Sequence, residues 1–329
     1  MKIVITGAAG FIGHHVAQRM LADGHRITIL DRLDHSGNLN RLAEIGVPNE
    51  QTKFVFHDLR APINSQLTAQ LGKPDWIIHM AAATHVDRSI DDPMSFVLDN
   101  VVATCNVLEY ARATRAKMLY FSTDEVFGPA PDGTAYRETD RYNSGNPYAA
   151  TKAGAEELCV AYHNTYKLPV MITHTMNVFG QRQHPEKFIP NTIARVSNGE
   201  SVTIHADHAR TRAGSRFYIH ASAVADAVSF LLENGEAGEK YNIVGELEVD
   251  NLQLAKTIAK YVKRDLHYEM VDFHSSRPGH DLRYALDGSK MAEMGWTPPT
   301  TFAAAMAETV QWTLDNPKWL LDSQMKVAA

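Results

Sequence analysis

Lys2-Ile3-Val4-Ile5-Thr6-Gly7-Ala8-Ala9-Gly10-Phe11-Ile12-Gly13 opens the chain and decides how the rest is read. An apolar run of strand length, Lys2–Thr6, meets glycines at every third position, and a helix-length stretch follows over Phe11–Ala22. Gly7 permits a tight turn, Gly10 removes the side chain where a pyrophosphate must approach the backbone, and Gly13 lets helix and strand pack closely. The helix N-terminus then turns unpaired N–H groups and the positive end of its dipole toward the anion. Strand, turn and helix in that order separate a dinucleotide-binding loop from a mere glycine-rich turn.

Outward from that loop, short buried-type strands alternate with helices. Arg26–Leu30, Lys53–His57, Trp76–His79, Lys117–Phe121 and Val170–His174 read as strands, with helices over Met94–Ala113 and Pro147–Tyr166. Continuous apolar strands separated by helices predict an α/β fold with a Rossmann-type, doubly wound parallel sheet. After about Asn177 polar residues, Gly and Pro increase, notably at 180–190, 207–215 and 275–279, with helices near Ala221–Glu233, Asn251–Val262 and Thr301–Trp312. The expected division is therefore a dinucleotide-binding domain over 1–176 and a smaller, irregular substrate-binding region over 177–329. The segment 217–244 is expected to return to the first domain, because Lys240–Val244 reads as another buried strand.

Composition limits the alternatives. At 329 residues with 44% hydrophobic and 21% charged side chains, the chain is globular rather than disordered or fibrous. A net charge of −6, without a long run of either sign, argues against nucleic acid as a main partner. No stretch reaches the roughly 18 apolar residues of a membrane helix. Cys105 and Cys159 make no disulfide framework and no CxxC pair, so a reducing, cytoplasmic setting is expected. Histidine is abundant, yet there is no HExxH or Cys/His cluster, and no metal is expected.

Asp31, at the end of the second strand, is placed to accept hydrogen bonds from the adenosine ribose and to repel a 2′-phosphate, which favours NAD over NADP. Arg32 beside it works the other way, and Asp58 after the third strand reads equally well as an adenine contact or a helix cap. In Asn146-Pro147-Tyr148-Ala149-Ala150-Thr151-Lys152, an asparagine cap and a proline at the first position start a helix. Tyr148 and Lys152 then share one face, and the ammonium is expected to lower the phenol toward the working pH. Upstream, Ser122-Thr123-Asp124-Glu125 follows a strand, where ligand-handling groups gather in open parallel sheets. Two adjacent carboxyls there suit an acid–base couple, one protonated and one ionised.

Together these motifs give the resemblance. The sequence is similar to the extended short-chain dehydrogenase/reductases, and within them to the nucleotide-sugar 4,6-dehydratases. GAAGFIG at 7–13, LDRLDHSGN at 30–38, AAATHVDRSI at 81–90, STDEVFG at 122–128 and NPYAATK at 146–152 carry it. So do PEKFIP at 185–190, YNIVG at 241–245 and RPGHDLRYALD at 277–287. The resemblance implies NAD as cofactor, contacted by Gly7, Gly10, Phe11, Ile12, Gly13, Asp31, Arg32, Asp58, Leu59, Ala81, Tyr148 and Lys152. It implies that Tyr148 is the base for oxidation at C4 of a nucleoside-diphosphate hexose (dTDP-glucose or a UDP-sugar) and that Thr123 binds the C4 oxygen. Glu125 would then remove the C5 proton, Asp124 would protonate the departing C6 hydroxyl, and hydride would return to C6. His85, Ser89, Asn177, Glu186, Lys187, Phe188, Arg216 and Arg277 would bind the sugar nucleotide, and a homodimer would form through the two long helices.

Some positions depart from the family pattern. Ala83 stands where glutamate is usual and Phe127 where tyrosine is usual; Arg216-Phe217-Tyr218-Ile219-His220-Ala221 and Ala-Arg-Thr-Arg at 209–212 are also unlike it. These fall mostly in the substrate half and leave the chemical set intact. The competing readings are another NAD-recycling nucleotide-sugar enzyme (4-epimerase, decarboxylase or 5,6-dehydratase) and a non-catalytic dinucleotide-binding regulator.

Overall fold

The computed structural model describes residues 1–272 and 282–321. The strands are β1 (Lys2–Thr6), β2 (Arg26–Asp31), β3 (Thr52–Phe56), β4 (Trp76–His79), β5 (Lys117–Thr123), β6 (Val170–Thr175), β7 (Asn177–Phe179), β8 (Val202–Ala206), β9 (Ser215–His220), β10 (Lys240–Ile243), β11 (Glu248–Asp250) and β12 (Tyr268–Asp272). Seven make one parallel sheet in the order β10-β6-β5-β4-β1-β2-β3. The strand order reverses between β1 and β4, the switch point where such sheets open a crevice beyond their carboxyl ends. Ile3, Ile5, Ile78 and Leu119 fill one face of this sheet, and Val4, Ile77, Met118 and Tyr120 the other, which is why these strands are apolar without alternation.

The first sheet face is covered by the helices Phe11–Ala22 and Ala221–Asn234, which pack on each other. The opposite face carries helices Ala103–Thr114 and Pro147–Tyr166. Beyond the sheet's carboxyl end, two small sheets (β11-β9-β7 and β12-β8) and helices Phe188–Asn198, Asn251–Val262 and Phe302–Asp315 enclose separate apolar clusters.

Two elements differ from the sequence reading in ways that shape the site. β5 continues past its apolar run through Ser122 and Thr123, which pair with His174 and Thr175 of β6. The expected continuous helix over Met94–Ala113 is instead Pro93–Phe96, a π-turn at Val97–Val102 and helix Ala103–Thr114. At that turn the Asn100 amide accepts from Ala83 N (2.8 Å) and donates to Ala83 O (3.0 Å) and Thr151 Oγ1 (2.9 Å). The irregular turn thus ties the β4 loop to the helix bearing Tyr148, a position where π-turns recur at functional sites.

Candidate active site

One cavity of about 520 Å³ runs along the carboxyl ends of β1, β2, β3, β4, β5 and β6. Its floor is the glycine loop. Gly7 holds φ +73, and a Cβ there would stand 2.7 Å from Ala81 N. A Cβ on Gly13 would stand 2.2 Å from Gly7 O, so neither position admits a side chain without moving backbone. Gly10 is the N-cap of helix Phe11–Ala22, and no side chain caps that helix. These are the features a dinucleotide diphosphate requires, and the loop fits NAD.

The ribose end is acidic. Asp31 Oδ2 accepts from Ala9 N (3.0 Å) and Oδ1 from Leu33 N (2.9 Å), while burial raises its carboxyl above the ordinary range. Arg32 does not stand ready for a 2′-phosphate. It donates to both oxygens of Asp99 (2.6 and 2.9 Å), to Asp34 and to Asp58, with Asp99 the main influence keeping it protonated. A ribose phosphate would enter beside four carboxylates, so the site fits NAD and resists NADP. Against its burial, hydrogen bonds from Arg60 pull Asp58 down to about 2. Asp58 does not cap the next helix; Asn64 does. Leu59 and Ala81 line the same cavity. Sequence reasoning missed Asp34, Asp99 and Arg60, because only the fold brings Asp99 to the end of β2.

The reacting groups meet at the end of β5. Tyr148 lies in the first turn of helix Pro147–Tyr166 and Lys152 in the second, both buried. Lys152 Nζ donates to Phe121 O at 2.6 Å and lies 4.3 Å from the centre of the Tyr120 ring. Burial lowers the ammonium to about 8. The phenol departs from expectation. Burial first, then the Glu125 and Asp124 carboxylates, push Tyr148 above its usual range, with only a Thr123 hydrogen bond opposing them. In this arrangement Lys152 anchors a strand carbonyl rather than depressing the phenol.

Thr123 Oγ1 donates to Asp124 Oδ1 at 2.9 Å. Burial pushes Asp124 up to about 6, and burial plus the Asp124 charge pushes Glu125 up to about 7. Those values alone would put the proton on Glu125. The hydrogen bonds point the same way, because Asp124 accepts from Thr123 and from the backbone N–H groups of Asp124 and Glu125, whereas Glu125 Oε2 accepts from Asn146 Nδ2 at 3.0 Å; Asp124 Oδ2 is buried with no partner among the described residues. A donor favours the ionised form, so the pair titrates as a unit near neutral pH, and the one proton it holds there can pass between the two carboxyls. Asn146 also caps the Tyr148 helix through Ala149 N (2.8 Å), so one side chain positions both base and helix.

The expected substrate residues divide. His85, Asn177, Glu186 and Lys187 line the cavity. Ser89 does not: it is 0% exposed, donates to Val86 O (2.6 Å) and accepts from Tyr148 N (3.1 Å), so it holds the helix start. Phe188 packs against the apolar clusters beyond the sheet instead of the cavity. Arg216 lies behind the carboxyl pair rather than on the cavity wall. It donates to Ser215 O and Leu282 O, packs 4.4 Å from the Tyr284 ring centre and lowers both carboxyls electrostatically. Arg277 lies outside the described residues.

At the rim, His35, His184 and Glu186 bring ligand-type atoms within 4.8 Å of one another, which no local sequence motif signalled because His35 comes from the loop after β2 and the other two from the loop before helix Phe188–Asn198. Arg88 lies 3.6 Å from Glu186, and burial first, then His35, Arg41 and Lys187, depress His184. That positive surround suits a diphosphate better than a cation.

The family model for GDP-mannose 4,6 dehydratase matches residues 4–309. The chain is 38% identical over 329 residues to a dTDP-glucose 4,6-dehydratase of Streptomyces niveus, covering 97% of this chain and 94% of that one. It is 37% identical over 328 residues to a trifunctional UDP-glucose 4,6-dehydratase/UDP-4-keto-6-deoxy-D-glucose 3,5-epimerase/UDP-4-keto-L-rhamnose-reductase of Arabidopsis thaliana, covering 97% of this chain and 48% of that one. Among solved structures it resembles DesIV, a dTDP-glucose 4,6-dehydratase from Streptomyces venezuelae with NAD bound, at a TM-score of 0.88 and 35% identity, covering 97% and 98% of the two chains.

Proposed function

The chain belongs to the GDP-mannose 4,6-dehydratase family, and from that membership and its cavity we propose that it is an NAD-dependent nucleotide-sugar 4,6-dehydratase. Its substrate is a nucleoside-diphosphate hexose, dTDP-glucose or a UDP-sugar, and its product the 4-keto-6-deoxy sugar nucleotide. NAD, when bound, accepts hydride from C4 and returns it to C6. Tyr148 takes the C4 hydroxyl proton, Thr123 binds the C4 oxygen and Lys152 holds the strand end and the cofactor ribose. Once C4 is a carbonyl the C5 proton is acidic. Glu125 removes it while Asp124 protonates the departing C6 hydroxyl, and water is lost.

The observation that carries this reading is the Asp124–Glu125 pair, raised toward neutrality and set beside Tyr148 and Lys152 in the NAD-shaped cavity. A 4-epimerase needs no second acid–base couple. His85, Asn177, Glu186 and Lys187 serve the sugar nucleotide from region 177–329 and the β4 loop, while domain 1–176 holds the cofactor. A homodimer is supported by the exposed Met94, Val97 and Leu98 beside helix Pro147–Tyr166. A reducing cytoplasmic setting is supported by two free cysteines. Among the described residues no helix is long and apolar enough to cross a membrane.

The test is incubation of the purified protein with dTDP-glucose, UDP-glucose and GDP-mannose, followed by mass spectrometry. Loss of one water, without net consumption of NAD, is the expected result for one or more of them. Unaltered sugar with all three, or a 4-epimer without loss of water, removes the dehydratase reading.

A further inference from the structure

Behind the cavity lies a second polar cluster that the proposed chemistry does not use. Glu156 and His174 are both 0% exposed. Glu156 Oε1 accepts from Ser122 Oγ, and Oε2 accepts from Tyr142 Oη and faces His174 Nε2 at 3.0 Å. Lys240 Nζ lies 3.6 Å from the same carboxylate and donates to Tyr142 Oη. The hydrogen bonds fix the donors. Asn242 Nδ2 donates to Tyr136 O and Asp287 O, so Asn242 Oδ1 faces His174 Nδ1, which must donate. Tyr142 spends its one proton on Glu156, so His174 Nε2 donates as well. Glu156 is thus an ionised carboxylate held by two hydroxyls and a ring N–H, with an ammonium beside it.

What makes the cluster more than a core feature is its place on the helix. Successive turns of helix Pro147–Tyr166 grip successive parts of the β5 end. Tyr148 meets Thr123, Lys152 Nζ holds Phe121 O, and Glu156 holds Ser122 Oγ. Glu156 is one turn beyond Lys152, on the same face.

We propose that Glu156, backed by His174, is a positioning residue for the oxidation step, fixing the β5 end that carries Thr123 and Asp124 and keeping the Lys152 ammonium charged. The second part is supported by the charges around Lys152. Glu156 and Cys159 of its own helix, Tyr120 of β5 and His79 of β4 face it, and Glu156 is foremost in raising it against burial. Around Glu156 stand Ser122, Tyr142, His174 and Lys240, with Cys159 and Lys152 on its own helix. The inference rests on the dehydratase reading and adds to it a residue that touches neither cofactor nor sugar.

The experiment follows transient reduction of the nicotinamide by absorbance during single turnovers, from pH 6 to 9.5. The substrate is whichever sugar nucleotide the wild type turns over, so failure of the parent reading appears as no wild-type signal. Glu156→Gln is expected to move the alkaline limb of this step down by about one pH unit. Ser122→Ala, which removes the strand clamp but leaves the charge, is expected to slow the step about tenfold at every pH with the limb unmoved. His174→Gln supplies the charge test again should Glu156→Gln not fold, because it alters the partner that keeps Glu156 ionised. A Glu156→Gln profile superimposable on wild type, or one lowered equally at all pH values with no shift, overturns the positioning role. So does a Ser122→Ala rate equal to wild type.

Discussion

The Asp124–Glu125 pair and Glu156 are served by the same strand, yet burial leaves them in opposite charge states. Burial pushes Asp124 and Glu125 up toward neutral pH, and the Asp124 charge pushes Glu125 further. Glu156 is more deeply enclosed, yet His174, Ser122 and Tyr142 hold it below the usual carboxylate range despite burial. Burial alone therefore does not decide whether a carboxyl keeps its proton; the sign of the charge brought beside it does, His174 against Glu156 and Asp124 against Glu125. The protein uses both outcomes, a proton-exchanging pair in the cavity and a fixed charge in the wall behind it.

The sharpest way to break this contrast is to neutralise the cavity side. Glu125→Gln should keep nucleotide-sugar binding but slow exchange of the C5 hydrogen with deuterated solvent by about 10²–10⁴-fold. Exchange at the wild-type rate would take the base role away from Glu125. The same substitution at Glu156 should leave exchange chemistry in place once hydride has been removed, because Glu156 does not line the cavity.

Stability should respond with opposite signs. A carboxyl whose folded pKa is raised costs stability as pH rises from about 4 through its folded value, so the cost is full above about pH 7. Glu125→Gln should therefore stabilise the protein at pH 8 by about 1–3 kcal/mol and do little at pH 4. A carboxyl whose folded pKa is lowered contributes stability above its unfolded value near 4.3, lost as pH falls through the folded value. Glu156→Gln should cost about 3–5 kcal/mol at pH 8, since His174 would remain buried, and Lys240 half-buried, beside a neutral amide. Denaturant unfolding of both variants at the two pH values measures this, and equal signs at pH 8 would dissolve the distinction.

How much of this was legible beforehand follows the range over which each signal acts. The glycine loop, Asp31, and the Tyr148–Lys152 pair are local, fixed by turn geometry and helical spacing, and all line the cavity. Thr123, Asp124 and Glu125 were legible because a parallel strand delivers whatever follows it to the sheet's carboxyl edge. Ser89, Phe188 and Arg216 were assigned by resemblance, and the fold turns Ser89 inward, Phe188 onto an apolar cluster and Arg216 onto Tyr284. Glu156 and His174 gave no signal, since an acid in a helix and a histidine in a strand become a pair only when β6 packs against that helix. The π-turn escaped notice because its cause, the Asn100 clamp on Ala83, is tertiary.

Proton exchange by the cavity pair should also be visible in the pH profile. Glu125, held at about 7 by burial and by Asp124, must be ionised to act as base. C5 exchange, measured on substrate already oxidised at C4, should fall about tenfold for each pH unit below about 7. A flat profile down to pH 5 would mean that the pair is no more perturbed than a surface carboxylate.

The smallest expected effect concerns the other end of the same helix. Its third turn is anchored by a charge, Glu156, but its first turn is anchored by a neutral hydroxyl, Ser89 Oγ, which accepts from Tyr148 N at 3.1 Å. A neutral anchor carries no electrostatic influence along the helix, so its loss should act through position alone. Ser89→Ala leaves one helix N–H without its partner and opens a small void, a loss of about 1 kcal/mol in stability. Nicotinamide reduction should slow by about threefold to tenfold, as Tyr148 loses its register against Thr123, with the pH limbs unmoved. A shift of either limb in Ser89→Ala would show that displacement of the helix start is enough to change the charge balance at Lys152. The charge role assigned to Glu156 would then reduce to a mechanical one.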